Sequence, residues 1–280
     1  MTSSPPGSAP LTRAGWSPQH LRDYLVENAI AGTVATRRAD SLAKYQRMVA
    51  RDPQCHFGLE LSRHWTTDDV LAVMVLRCGV NGDPAAVQGP DFIDPELTVD
   101  RLRAMAGRLR EVAAARGTVL FGTGHPAGLL AIHAPLSRRL RALGCRVLTP
   151  ASGWRGRAVF DDDQIYAELR YFDRVAVISV GGGLAHTHAP GPMEAMLAEL
   201  RAARQPMPDL VVADHGFAGA AGTAGITVVG FADCNDPALF VGEAEGRIDV
   251  AVPLDDNVQP DLYEPVTAFL LQEMERPGGQ

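Results

Sequence analysis

The spacing of apolar residues along this chain changes character near residue 117. Ahead of that point they recur three or four residues apart, the spacing of a single helix face. Ser17-Pro18 offers a cap and first turn for a helix through about Ile30, and Asp40 offers a cap for one carrying Leu42, Tyr45 and Met48. Thr66-Thr67-Asp68-Asp69 opens an acidic helix that runs on through Val70 to Cys78 and stops at Gly79. Thr98 is placed to cap a long helix with Val99, Leu102, Met105, Leu109 and Val112 on its apolar side. The one strand expected in this front is Phe57 to Leu61. Residues 1–15 are low in complexity and are expected to be disordered.

From Thr118 onward, short apolar runs alternate with helical patterns. The runs are Val119–Phe121, Cys145–Leu148, Val175–Val180, Leu210–Ala213, Thr227–Phe231 and Ile248–Val252. Apolar strands alternating with helices predict a parallel sheet covered on both faces. The expected fold is therefore α/β: a helical region at 16–117 followed by a Rossmann-like, doubly wound, mostly parallel sheet at 118–280. The clearest unit joins Val119–Phe121, the glycine turn Gly122-Thr-Gly124-His125-Pro126-Ala-Gly128, a helix bearing Leu129, Ile132, Leu136 and Leu140, and the next strand. Such a turn directs backbone N–H groups and a helix N-terminus at one point, an arrangement suited to an anion.

In a sheet of this kind ligands bind beyond the C-terminal strand ends, and polar residues collect there. Phe121 is followed by the glycine turn and His125, Val180 by Gly181-Gly-Gly183-Leu-Ala-His186-Thr187-His188, and Ala213 by Asp214-His215. Phe231 is followed by Asp233, Asn235 and Asp236, and Val252 by Asp255-Asp256-Asn257. Turn chemistry alone favours Gly, Asp and Asn, but histidines and acids recurring along one edge point to a polar cleft. His186-x-His188 has a metal-ligand spacing, although two loop histidines bonded to backbone would look the same. Asp214, Asp233 and Asp236 could hold a hard divalent cation such as Mg²⁺, with Asp236-Pro237 alternatively a plain helix cap.

Gly122-x-Gly124-x-x-Ala127 fits a loose dinucleotide pattern. The acid that would meet a ribose is absent, and Arg155 and Arg157 stand nearby instead, so a phosphate is the expected guest. Phe160-Asp161-Asp162-Asp163-Gln164 faintly resembles an aspartate-nucleophile motif, but no lysine follows it and a solvated turn before a helix is expected. No G-x-S-x-G elbow is present, which removes the common serine-hydrolase mechanism.

Composition narrows the choice. A net charge of −7 argues against nucleic acid or an anionic membrane as partner. No apolar run is long enough for a membrane span, and the chain start lacks a signal-peptide pattern. The four cysteines show no C-x-x-C spacing, so reduced thiols in a cytoplasmic protein are expected. Lys44 is the sole lysine, which removes any lysine-based mechanism from the C-terminal half.

The segments GTGHPAGLL, LAHTHAPGPM, VVADHGFAG, GFADCNDPALF and VPLDDNV, with TVATRRADSLAKY and the GVNGDP and IDPELT stretches, resemble a family of high-GC bacterial proteins known as phosphatases. The resemblance runs from about Leu21 to Leu271 and implies phosphatase activity. At fold level the chain is also similar to metal-dependent damage-control phosphatases. It departs from their pattern at Gly124-His125, where those proteins carry an Asp-Asn pair, and in lacking their late lysine.

Together these features lead us to expect a phosphohydrolase acting on a small phosphorylated metabolite, a sugar phosphate or a nucleotide, and possible self-association. Gly122, Thr123, Gly124 and Gly128 would hold phosphate, aided by His186, His188 and Asn235, while Arg37, Arg38 and Lys44 would close over it. Asp214, Asp233 and Asp236 would hold the metal, and His125 or His215 would be the general acid. The alternatives are a module that binds a phosphorylated ligand without turnover, and an NADP-dependent oxidoreductase.

Overall fold

The computed structural model describes residues 15–160 and 163–276. The front contains α1 (Pro18–Glu27), β1 (Gly32–Arg37), α2 (Arg38–Val49), α3 (Pro53–His56), α4 (Thr67–Cys78), β2 (Pro90–Ile93) and α5 (Pro95–Ala114). Local signals set several ends. Ser17 caps α1 by accepting from the His20 amide, and a reciprocal Thr66–Asp69 capping box opens α4. Gly79, at φ 80°, closes α4 in the left-handed conformation that glycine adopts without strain.

Three expectations for the front are corrected, the first being Asp40, which lies in the first turn of α2 while Arg37 holds the cap position. Helix α5 starts at Pro95 under an Asp94 cap, so Thr98 lies inside it, buried, its hydroxyl donating to the Pro253 carbonyl at 2.8 Å. Asp94-Pro95 is the stronger start because proline suits the first helical position. Phe57 to Leu61 is not a strand; Phe57 is the left-handed cap of α3, at φ 55°. Strands are found instead at β1 and β2, an antiparallel pair. Each is short and alternates buried with exposed positions, so neither makes an apolar run.

The sheet region runs β3 (Thr118–Gly122), α6 (Pro126–Ala142), β4 (Arg146–Val147), β5 (Arg155–Phe160), β6 (Asp163–Phe172), β7 (Val175–Val180) and β8 (Gly183–Ala185). It continues α7 (Gly191–Ala202), β9 (Leu210–Ala213), α8 (His215–Thr223), β10 (Val228–Ala232), α9 (Pro237–Ala244), β11 (Val250–Pro253), a 3₁₀ turn at Pro260–Tyr263 and α10 (Glu264–Glu275). The strand order is β11-β10-β9-β3-β7-β6-β5. From β11 to β7 neighbouring strands are parallel, and β6 and β5 extend the sheet antiparallel. Strands β9, β10 and β11 are buried at every position, as the continuous apolar runs require. The segment after Asp163, expected to be helical, is strand β6; Asp161 and Asp162 lie outside the described residues. Its alternation of polar and apolar residues fits a strand with one packed face.

After β3 the chain adds β4 beside it, jumps to the outer edge at β5 and comes back through β6 to β7 next to β3. It then crosses to β9 on the other side of β3 and proceeds away from it. The reversal between β3 and β9 is a topological switch point, where adjacent loops part and leave a crevice. One continuous buried cluster joins front residues such as Leu21, Tyr45 and Phe57 to sheet residues such as Phe121, Val212 and Phe231. Among the described residues, no helix is long and apolar enough to cross a membrane.

Candidate active site

A cleft of about 580 Å³ opens over the switch point. Its lining includes His125, His186, His188 and His215, Asp233, Asp236 and Asp256, with Lys44 and Thr36 from the front.

Beneath it, the glycine turn already holds an anion, the protein's own Asp214. Oδ1 of Asp214 accepts from the Gly124 amide at 2.7 Å, the His125 amide at 3.3 Å and His215 Nδ1 at 2.7 Å. Oδ2 lies 3.3 Å from Nε2 of His133, which projects inward from α6 and is fully buried. Burial alone would raise the Asp214 carboxyl, but the two histidines hold it far below the usual carboxylate range. Two further turn amides are engaged, Thr123 to the Ala176 carbonyl and Gly128 to the His125 carbonyl. Gly124 is required by close packing: a β-carbon there would sit 2.2 Å from the Thr187 carbonyl oxygen and 2.9 Å from the His215 side chain. The expectation that Gly122, Thr123, Gly124 and Gly128 cradle a phosphate is therefore replaced by an internal carboxylate in that cradle.

Four imidazoles face the cleft above. Nδ1 of His215 is tied to Asp214, and Nδ1 of His188 donates to the Gln54 carbonyl at 2.8 Å. Their Nε2 atoms turn toward His186, whose Nε2 is 3.1 Å from that of His188 and 3.5 Å from that of His215. Burial and the neighbouring His215 push His186 down to about 3 and His188 down to about 4, so both are neutral near pH 7. His215 goes the other way: burial opposes its charge, but Asp214 and Asp236 outweigh burial and raise it well above the ordinary histidine value. His215 also sits at φ 45°, a conformation that side chains other than glycine rarely hold without surrounding restraint. Phe57 supplies some of that restraint, its ring centroid 5.0 Å from that of His215. His125 stacks on His186 at 4.6 Å, with Nδ1 3.1 Å from Asp256 Oδ1. Burial works against charge on His125, and Asp256 more than compensates, raising it.

The loops after β10 and β11 bring up acids. Oδ2 of Asp236 is 3.4 Å and Oδ2 of Asp256 3.7 Å from His215 Nε2. Asp233 accepts from the Thr36 hydroxyl at 2.7 Å and the Cys234 amide at 2.6 Å. Burial, then Asp256, Asp255 and Asp236, raise the Asp233 carboxyl well above the usual range. Asp236 is held well below it: burial opposes, but Lys44 and His215 prevail. Lys44 Nζ donates to Asn235 Oδ1 at 2.6 Å and to Asp236 Oδ1 at 3.0 Å. Burial would lower its pKa, and Asp236 leaves it raised. Within this group, Nδ1 of His125 and Oδ2 of Asp256 are buried without a hydrogen bond; the His125–Asp256 approach is close but misaligned.

Of the residues expected from sequence, the cleft gathers His125, His186, His188, His215, Asp233, Asn235, Asp236 and Lys44. Asp214 lies below it. Arg37 does not reach the cleft: it is exposed and forms a two-pronged pair with Asp40, while its neighbour Arg38 is buried against Asp91. Sequence reasoning missed Thr36, Gln54 and His133, and placed Asp256 at the polar edge without giving it a role. Asp256 carries the same strand-end signal as Asp233. His133 stands four residues after Leu129 on the apolar side of α6, a signal available in the sequence.

A family model described as Phosphatase matches residues 16–277, a span containing every cleft residue. Phosphatase SCO2771 from Streptomyces coelicolor is 47% identical over 255 residues, covering 90% of this chain and 94% of that protein.

Proposed function

This chain belongs to the Phosphatase family, and from that premise we propose that it hydrolyses phosphomonoesters of small metabolites with a divalent ion held by His186, His188 and His215. The observation that carries the reading is the approach of the His188 and His215 Nε2 atoms to that of His186, at 3.1 and 3.5 Å. The Nδ1–H of His188 is committed to Gln54, so its Nε2 presents a lone pair toward His186. His215 Nε2 holds either a proton aimed at Asp236 or a cation. Imidazoles fixed through Nδ1 by a carbonyl (His188) and a carboxylate (His215) match the supporting contacts of metal-ligating histidines. Imidazole donors favour a first-row transition ion such as zinc or iron over the magnesium expected from aspartates alone.

Such an ion, when bound, supplies positive charge against phosphoryl oxygens and acidifies water. The protein's own residues do the rest. Lys44, anchored to Asn235 and Asp236, retains an N–H for a phosphate oxygen at the cleft wall. His125, raised by Asp256, carries a proton for the leaving oxygen. Asp214 fixes the ring of His215. The NADP alternative loses support because the Thr123, Gly124, His125 and Gly128 amides are engaged and Thr187 packs on Gly124.

A panel of sugar phosphates, nucleoside monophosphates and p-nitrophenyl phosphate tests the proposal. Turnover is expected, and His125→Asn should reduce kcat by roughly 10²–10⁴-fold without loss of bound metal. Phosphate-ester binding with no turnover of any member would instead favour the binding module.

A further inference from the structure

We propose a second cation site in the same cleft, formed by Asp233, Asp236 and Asp256 and suited to a hard divalent ion such as Mn²⁺ or Mg²⁺. It deepens the metal-assisted reading above and rests on it.

Donor supply is the first argument. Seven cleft residues carry metal-binding atoms: four histidines and three aspartates. Two triads have donor atoms mutually within 4.8 Å, His125 with His186 and His215, and His215 with Asp236 and Asp256. Both use Nε2 of His215, because Nδ1 is held by Asp214. One nitrogen lone pair serves one ion. If His215 joins the imidazoles, Asp236 and Asp256 remain, and Asp233 lines the same cleft beside them. Their carboxylate oxygens are the donors that hard cations select.

An unpartnered atom is the second argument. Asp256 is 5% exposed, lines the cleft, and its Oδ2 accepts no hydrogen bond. Buried carboxylate oxygens are otherwise satisfied by donors or metals. The His215 Nε2 that faces it is 3.7 Å away, beyond hydrogen-bond distance.

Charge is the third. Asp233, Asp236, Asp255 and Asp256 are all buried at these two strand ends. Lys44 is the cation bonded to them, while Arg47, also at the cleft, pairs with Asp52. A single divalent ion held by the imidazoles in place of the His215 proton, together with Lys44, offsets three of these four carboxylates once all are ionised. The remaining negative charge works against a phosphate dianion. A second divalent ion reverses the sign and makes the site attractive to its substrate. Two ions in adjoining sites can contact one phosphoryl group from two sides.

The test is stoichiometry. Chelator-stripped protein is reloaded with Mn²⁺, dialysed, and assayed by elemental analysis and electron paramagnetic resonance. Two ions per chain with an exchange-coupled spectrum are expected. Asp256→Asn and Asp233→Asn should each leave one ion and an isolated-Mn²⁺ spectrum, whereas Asp256→Glu, which keeps the charge, should retain two. Circular dichroism confirms folding of each variant. One ion in the wild type, lost in His186→Ala but kept in Asp256→Asn, overturns the second site and leaves the metal-assisted function standing. No bound ion in the wild type overturns both.

Discussion

Two sets of strand-end aspartates stand on one side of the switch point, and they behave oppositely. At the end of β9, one carboxylate, Asp214, is met by two backbone amides and two histidines and stays ionised. At the ends of β10 and β11, four buried carboxylates share Lys44, Thr36 and a few amides, and Asp233 is driven toward its protonated form. The same residue type at the same topological position therefore does two jobs. Asp214 neutralises the glycine turn from inside and orients His215. The other group crowds carboxylates around Lys44, and burial and their mutual repulsion push Asp233 toward the protonated form.

Removing Asp214 should have the largest effect on stability. Asp214→Ala leaves His133, His215 and two amides facing an empty space, and about 3–5 kcal/mol of unfolding free energy should be lost, measured by urea denaturation. A loss near zero would erase the distinction between the clusters. Gly124→Ala probes the same cradle from its other wall. The added methyl meets the Thr187 carbonyl and His215, and about 1–3 kcal/mol should be lost through overpacking.

How far these clusters were legible in the sequence depends on what made the signal. Strand ends followed by Gly, His and Asp stood out because parallel strands are apolar runs, so polar residues mark where each run stops. That placed His125, His186, His188, His215, Asp233 and Asp236 on one edge. The partner of the glycine turn could not be seen, because Asp214 and Gly124 are ninety residues apart and no local pattern pairs them. Thr36 and Arg37 show the limit on the front. In the extended β1 the two face opposite ways, so Thr36 reaches Asp233 while Arg37 turns to solvent. The β5–β6 hairpin escaped notice because its strands mix arginine and glutamate with apolar residues.

The acidic cluster should respond in the opposite sense. In chelator, Asp233→Asn should stabilise the protein by about 0.5–2 kcal/mol, the range of charge-relieving substitutions, while weakening Mn²⁺ binding. The gain should grow with pH. A carboxyl raised on folding binds its proton more tightly in the native state, so its stabilising contribution is full below the unfolded carboxylate value and is lost as pH rises through the folded one. Melting temperatures of wild type and variant at pH 5, 6, 7 and 8 should therefore diverge. A constant gap would remove the repulsion inferred for this cluster. The smallest effect is expected at Lys44, where Lys44→Met should raise KM for a phosphomonoester about tenfold, the scale of one charge-assisted contact, with the fold unchanged.

The central claim is that this family member works through a cation held over the switch point. Hydrolysis of p-nitrophenyl phosphate by protein stripped with chelator and verified metal-free tests it most directly. Activity should vanish on stripping and return on adding Zn²⁺ or Mn²⁺, with His186→Ala failing to recover. Full activity in the verified metal-free protein would contradict the account.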